Sequence, residues 1–130
     1  MGERFRLAVH PGSFAIYQLA PGTPLPAWTL EGPFCSVTRT LEELSIVCSE
    51  SSVPDDVVAD HGWRLLSVQG RLDISLVGVL AGLTGTLARA GITLFAISTY
   101  DTDHLLVRAD DVVAATRALV AAGYGVIGGG

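Results

Sequence analysis

The residue types that suggest chemistry are concentrated in one stretch, Ser98-Thr99-Tyr100-Asp101-Thr102-Asp103-His104, which combines hydroxyls, carboxylates and an imidazole. A serine, a histidine and an aspartate form a nucleophilic catalyst when the carboxylate orients the histidine that activates the serine. Neighbouring residues of a strand point to opposite faces, however, so Asp103 is poorly placed to orient His104. We therefore predict no catalytic residue in this stretch.

Metal and cofactor sites are also not indicated. The three histidines, His10, His61 and His104, lie in unrelated segments without metal-ligand spacing. The glycines of the second half fall inside a predicted helix, whereas phosphate-binding and dinucleotide-binding glycines lie between a strand and a helix. The sequence thus predicts no metal site and no cofactor.

The charge balance excludes several classes of partner. Net charge is -5, and the eight basic residues are all arginines, scattered from Arg4 to Arg117. Because nucleic acid is bound by concentrated positive patches, it is not expected as a partner. No apolar run reaches the ~18 residues of a transmembrane helix, and the first residues lack the core of a signal peptide. We therefore expect a cytoplasmic protein without a membrane partner.

The two cysteines, Cys35 and Cys48, lie in strand-like segments that could run side by side. A disulfide is geometrically conceivable, but in a cytoplasmic protein two buried thiols are expected.

Residues 92–107 are typical of two β-strands joined by a short polar turn, Asp101-Thr102-Asp103. Along the first strand both faces are largely apolar, since Leu94 and Ala96 point one way and Phe95 and Ile97 the other. We expect both faces to be covered, by helices, by another domain or by another subunit.

The first half of the chain predicts two hairpins. One joins residues 4–9 to 14–19, and the other joins 34–40 to 44–49 through a charged turn at 41–43. A proline- and glycine-rich connector lies between them, at 21–33. The polar segment 53–62 is interpreted as the boundary between two halves.

The second half predicts a strand at 63–68, a helix at 75–90, the hairpin at 92–107, a helix at 110–122 and a strand at 124–127. This β-α-β-β-α-β order is that of a ferredoxin-like unit, an antiparallel sheet with two helices on one face. The first helix contains Gly78, Gly82 and Gly85, each of which costs about 1 kcal/mol relative to alanine. Close packing would explain them. Alternatively, Gly78 would let a ligand approach the free N–H groups at the helix start, which favour a carboxylate.

These residues resemble a known family. The strand Trp63-Arg64-Leu65-Leu66-Ser67-Val68, the glycine-broken helix and the stretch from Ile97 to Asp103 resemble the amino-acid-binding ACT domain, and more narrowly the branch that includes the cytosolic CASTOR-type arginine sensors. Residues 34–40 and 44–48 are similar to the first ACT unit of that branch. The resemblance implies an α+β fold of tandem ACT units: a degenerate, strand-rich N-terminal unit at 1–62 and a C-terminal ACT unit at 63–130.

The resemblance also implies a ligand-binding set, which comprises Leu76, Gly78, Val79, Thr93, Leu94 and Asp103. In this set Asp103 matches an acidic contact to the cationic part of the ligand, although its position after a turn equally suits an ordinary turn residue. Where the arginine sensors carry a second carboxylate, this chain has Leu76. Half of an acidic clamp for guanidinium is therefore missing, which favours a neutral or aromatic amino acid over arginine.

The predicted function is that of a regulatory sensor protein, which binds a free amino acid at an ACT–ACT interface and passes the signal to an unknown protein partner. A homodimer is expected, because the charge content is low at 16%, the predicted sheet is apolar on both faces, and the arginine sensors contain two pairs of ACT units whereas this chain has one pair. The alternative is a small biosynthetic-pathway enzyme or accessory protein that uses the same cleft for chemistry.

Overall fold

A computed structural model describes residues 5–73 and 75–128 of the chain. Within these residues it contains eight strands and two α-helices: β1 Arg6–Val9, β2 Phe14–Leu19, β3 Cys35–Arg39, β4 Leu44–Ser49, β5 Asp60–Val68, α1 Val79–Arg89, β6 Leu94–Ser98, β7 Asp103–Arg108, α2 Val112–Ala121 and β8 Gly125–Gly128. Neither described helix is long and apolar enough to cross a membrane.

The chain divides into two compact units. The strand unit is Gly12–Trp63, and the helix unit combines Met1–Pro11 with Arg64–Gly130. The sequence places the boundary one residue earlier, between 62 and 63, and it assigns the first eleven residues to the first half. In the structure residues 5–11 belong with the second half, because β1 lies in the sheet of the helix unit.

The sheet of the helix unit has the strand order β6-β7-β5-β1-β8. From β5 onwards the chain follows the predicted order β-α-β-β-α-β. β1 is an additional strand, antiparallel to β5 and parallel to β8. The α+β class predicted from the sequence is confirmed.

The core of the helix unit forms where both helices pack on one face of this sheet. Alternate residues of the strands, such as Leu7 of β1 and Leu66 of β5, meet Leu83 of α1 and Leu119 of α2, and all four are fully buried. Because side chains alternate along a strand, the residues between them point to the other face. The apolar stripe of each helix therefore determines which face of the sheet it covers.

The predicted hairpin between residues 4–9 and 14–19 is wrong. β1 pairs with β5 and β8, and β2 pairs with β4 and with the first part of β5. The reason is the burial of Leu7 and Val9 in the core of the helix unit, which a pairing of β1 with β2 would not provide. Arg4, the first residue of the predicted strand, lies outside the described residues.

The first helix is shorter than predicted. It begins at Val79 instead of residue 75, because Gly78 has a φ of 84°, outside the helical region. Leu76 consequently precedes the helix. Inside α1, a Cβ added at Gly82 would lie 2.8 Å from the Tyr124 hydroxyl, so close packing explains that glycine. The second helix, predicted at 110–122, begins at Val112 after a 3-10 turn at Ala109–Asp111.

The hairpin of β6 and β7 is confirmed, with Leu94 opposite Val107 and Ser98 opposite Asp103. Its turn, however, lies earlier than predicted. The Thr99 N–H donates to the Thr102 carbonyl at 2.9 Å, so Asp103 is the first residue of a strand and not part of the turn.

The strand unit consists of the antiparallel order β3-β4-β2 with the first part of β5 beside β2. The predicted hairpin of β3 and β4 is confirmed. Its core contains Tyr17, Ile46 and Cys48, and the Trp28 ring stacks on Tyr17 at 5.4 Å. Residues 12–63 are all described and contain 3-10 turns in place of α-helices. The tandem arrangement of two ACT units therefore stays a prediction.

Candidate functional site

A cleft of about 280 Å³ lies in the helix unit, between the loop that leads into α1 and the turn between β6 and β7. The loop provides the approach to the helix, and the turn provides polar side chains. The lining residues are Leu72, Asp73, Leu76, Gly78, Val79, Leu80, Ala81, Ser98, Thr99, Tyr100, Asp101, Thr102 and Asp103.

The two walls of the cleft are tied together by hydrogen bonds. The Leu72 N–H donates to the Asp101 carbonyl at 2.7 Å, and the Thr102 hydroxyl donates to the Val68 carbonyl at 2.9 Å. The Arg71 Nε lies 3.1 Å from the Asp101 Oδ1, although both side chains are largely exposed, so this ion pair contributes only about 0–1 kcal/mol. The main-chain bond from Leu72 to Asp101 and the side-chain bond from Thr102 to Val68 therefore hold the loop against the turn.

Asp73 shapes the loop before α1. Its Oδ1 accepts hydrogen bonds from the N–H and the hydroxyl of Ser75, at 2.9 and 2.7 Å. These donors favour the ionised form and lower the pKa of the Asp73 carboxyl. The Leu76 N–H donates to the Asp73 carbonyl at 2.9 Å. The result is a closed turn that presents Leu76 to the cleft.

The start of α1 forms another part of the wall. Gly78 is the residue before the helix and provides no side-chain cap, and a Cβ added there would meet nothing within 4 Å. The first N–H groups of any helix lack partners within the helix. Val79, Leu80 and Ala81 line the cleft, so the first turn of α1 offers main-chain donors and partial positive charge at this point.

Asp103 lies opposite, at the start of β7. Its half-buried side chain accepts a hydrogen bond from the Ser98 hydroxyl at 2.7 Å, across the β6–β7 pair. A carboxylate can accept about four hydrogen bonds, so Asp103 retains capacity for a ligand. The cleft thus joins a fixed carboxylate to a helix N-terminus.

Four of the six predicted ligand-binding residues line this one cleft: Leu76, Gly78, Val79 and Asp103. Thr93 and Leu94 do not. Thr93 is exposed just before β6, and Leu94 packs against the core of the helix unit. The cleft also includes Asp73 and Tyr100, which the site prediction omitted. An aspartate two residues before a serine in a glycine-containing loop is a turn signal that could have indicated Asp73.

A chain of hydrogen bonds runs through the sheet beside the cleft. The His10 Nε2 lies 2.8 Å from the Ser67 Oγ, which lies 2.7 Å from the His104 Nδ1. Burial lowers the pKa of both imidazoles, and at His104 the neighbouring His10 adds to the effect while Asp103 opposes it. Ser67 is only 5% exposed and does not line the cleft. His104 is therefore hydrogen-bonded to a serine whose hydroxyl is buried, and a substrate in the cleft does not reach that hydroxyl.

Comparison with known proteins identifies the region that carries the cleft. Residues 58–121 match the model of the ACT domain family, and residues 12–56 match a model described as an N-terminal domain. No curated protein matches the chain significantly.

Several solved structures share the fold. Protein Atu0741 from Agobacterium tumefaciens is 38% identical, over 95% of this chain and 92% of that one, with a TM-score of 0.90. Protein VC0802 from Vibrio cholerae, described as of unknown function, is 20% identical over 92% and 90% of the two chains, with a TM-score of 0.75. The regulatory subunit of aspartate kinase from Thermus thermophilus is 13% identical over 89% and 96%, with a TM-score of 0.61. The chain therefore belongs to the same family as Atu0741 and carries an ACT domain at residues 58–121.

Proposed function

We propose that this protein is a small-molecule-binding regulatory module whose ligand is a free amino acid in the cleft of its ACT domain. The observation that carries the proposal is the pairing of the Asp103 carboxylate with the first turn of α1 around one cleft. An amino acid has an ammonium and a carboxylate on the same carbon. The cleft offers an acceptor for the first and main-chain donors for the second.

The charges around the cleft favour Asp103 as the partner of the ligand's ammonium. Asp101 is paired with Arg71, and Asp73 is engaged by Ser75 in its own turn. Asp103 is held in place by the Ser98 hydroxyl. Because this hydroxyl is neutral, the bond does not balance the negative charge of the Asp103 carboxylate. The ligand carboxylate then lies at the N–H groups of Val79 and Leu80, where the helix dipole favours an anion.

The apolar lining supports a neutral or aromatic side chain. Leu76 is 51% exposed and Tyr100 is 74% exposed at the cleft. Covering such surfaces contributes about 25 cal/mol per Å² of apolar area removed from water. A volume of about 280 Å³ is just below the range of sites for drug-sized ligands, roughly 300–1,000 Å³, so it suits a single small metabolite.

The test is a thermal-shift screen with the twenty amino acids, followed by calorimetric titration of each compound that raises the melting temperature. Asp103→Asn keeps the shape of the side chain and removes its charge, so affinity should fall about ten- to a hundredfold. Asp110→Asn is the matched control, because Asp110 is exposed and lies away from the cleft. Equal affinity of wild type and Asp103→Asn would contradict the assignment.

The same titration mixtures distinguish binding from catalysis. Mass spectrometry should recover the amino acid unchanged after prolonged incubation. A new product that depends on the protein would replace the regulatory function with the enzymatic one.

We also propose a homodimer that pairs through β6, which would place the partner subunit's Thr93 and Leu94 near the cleft. Within the described residues β6 pairs only with β7. The Thr99–Thr102 pair is hydrogen-bonded, and because bonded and non-bonded pairs alternate, the N–H groups of Leu94 and Ala96 point to the open edge. An open edge with these donors suits a second copy of the same strand.

Ala96→Pro tests the dimer. Proline removes the outward N–H and leaves the bonds between β6 and β7 intact. Light scattering coupled to size exclusion should give a dimer mass for wild type and a monomer mass for the variant. Ala114→Ser, an exposed change on α2, should remain dimeric. A wild-type monomer across micromolar concentrations would refute the dimer without affecting the binding proposal.

A further inference from the structure

The two cysteines of the strand unit face each other across one β-ladder. Cys35 of β3 lies directly opposite Cys48 of β4. In the turn of this hairpin the Thr40 N–H donates to the Glu43 carbonyl at 2.9 Å, so these two residues form a hydrogen-bonded pair. Pairs alternate along an antiparallel ladder, and Cys35 lies five residues before Thr40. The cysteines therefore form a non-hydrogen-bonded pair.

This type of pair has the geometry of a disulfide. The Cα atoms of a non-hydrogen-bonded pair lie about 4.5 Å apart, with the side chains on the same face. Disulfides join Cα atoms that are roughly 4.4–6.8 Å apart. In the structure both residues are free thiols. The bridge could therefore close by side-chain rotation with little movement of the backbone.

The surroundings of the two thiols differ. Cys48 is fully buried, and its Sγ lies 3.8 Å from the Tyr17 hydroxyl. Cys35 is half-buried, on the edge strand of the unit. A reagent from solvent therefore reaches Cys35 first, and Cys48 is accessible chiefly to Cys35.

We propose that Cys35 and Cys48 are a redox modification site, which forms an intramolecular disulfide on reaction with a low-molecular-weight disulfide such as oxidised glutathione. The Cys35 thiolate attacks one sulfur of the reagent and releases one thiolate, leaving a mixed disulfide. The Cys48 thiolate then attacks the Cys35 sulfur and releases the second. The protein dithiol is oxidised, the reagent is reduced to two thiols, and the protons of the cysteines go to the released thiolates.

The second step should be the slower one. Burial raises the pKa of the Cys48 thiol, although the hydrogen bond between Cys48 and Tyr17 opposes this effect. The raised pKa leaves less Cys48 thiolate at neutral pH. Because the thiolate is the nucleophile, the closing step is slow there and accelerates as the pH rises. The bridge ties the edge strand to β4. Closing a loop of this length should raise the folding equilibrium constant about a hundredfold.

The experiment uses the full chain in native buffer. Reduced protein is incubated with oxidised glutathione, the reaction is stopped by alkylation, and the products are mapped by intact mass and peptide analysis. Wild type should lose both thiols, retain no glutathione and yield one peptide pair joined through Cys35 and Cys48. Cys48→Ser should instead accumulate glutathione on Cys35.

Two further measurements test the order of the steps and the folded state. Cys35→Ser should react far more slowly than Cys48→Ser, because its remaining thiol is buried. Hydrogen exchange of the β3 amides should slow in the oxidised protein. The proposal is overturned if wild type keeps both thiols free, if it retains glutathione on Cys35 without closing the bridge, or if oxidation accelerates exchange in β3.

Discussion

Replacing Gly78 tests the local geometry that positions the cleft. This residue has a φ of 84° directly before α1, and a Cβ added there would meet no atom within 4 Å. An alanine would therefore clash with nothing, and its whole cost would come from the left-handed backbone, about 1–2 kcal/mol for a residue with a Cβ. Gly78→Ala should lower the free energy of unfolding by that amount. Gly78→Asn should cost less, since asparagine tolerates this conformation.

Gly85→Ala is the matched control, with an effect of opposite sign. Gly85 lies inside α1, and its added Cβ would be 3.2 Å from the mobile end of the exposed Arg89 side chain. There alanine should raise the free energy of unfolding by about 0.5–1 kcal/mol, because it loses less backbone entropy in a helix. The two variants should thus differ by about 2 kcal/mol.

The assay is urea unfolding followed by far-ultraviolet circular dichroism, which reports on α1 and α2. Each variant should change the transition midpoint without changing the slope. The reasoning would be refuted if Gly78→Ala were as stable as wild type, or if asparagine at this position were no better than alanine. Either result would mean that the left-handed conformation before α1 is not required.

Two further predictions concern stability. Gly82→Ala should destabilise the protein by about 1–3 kcal/mol despite its position in a helix, because the new Cβ would lie 2.8 Å from the hydroxyl of the buried Tyr124. In urea unfolding, the additional change Tyr124→Phe should recover part of this loss. If Gly82→Ala alone were more stable than wild type, the close packing of Gly82 on Tyr124 would be contradicted. The free energy of unfolding should also fall as the pH drops from about 7 to about 5. Burial holds the pKa of His10 and His104 below the ordinary value of 6.5 in the folded protein. The histidines of the unfolded chain therefore take up protons first, and stability begins to fall as the pH passes through 6.5. Urea midpoints across this range should show a smaller slope for His104→Gln, and an unchanged slope would assign the dependence to other groups.

Local patterns were sufficient for the elements whose structure depends on nearby residues. The hairpin of β6 and β7 and the hairpin of β3 and β4 were both predicted from strand-like segments on either side of a polar turn. The α2 helix was predicted within two residues at each end. In these cases the period of the apolar residues and the turn chemistry agree, because each element contacts its own sequence neighbours.

The partners of β1 could not be predicted in this way. Its short alternating pattern suits pairing with β2 as well as pairing with β5 and β8, and the choice depends on Leu7 and Val9 joining a core formed by residues more than fifty positions away. The start of α1 was misplaced for a related reason. Its apolar spacing continues back to Leu76, and the backbone angle of Gly78 interrupts the helix where the loop is held against the β6–β7 turn.

The cleft also combines features that were predicted from the sequence with an arrangement that only the tertiary structure decides. Asp103 and Val79 were nominated by the resemblance to the ACT family, and Gly78 was nominated both by that resemblance and by its position near a predicted helix start. Their meeting around one volume depends on the bond between the Leu72 N–H and the Asp101 carbonyl, which joins two segments about thirty residues apart. Such a bond leaves no periodic signal in the sequence, since main-chain groups are the same in every residue.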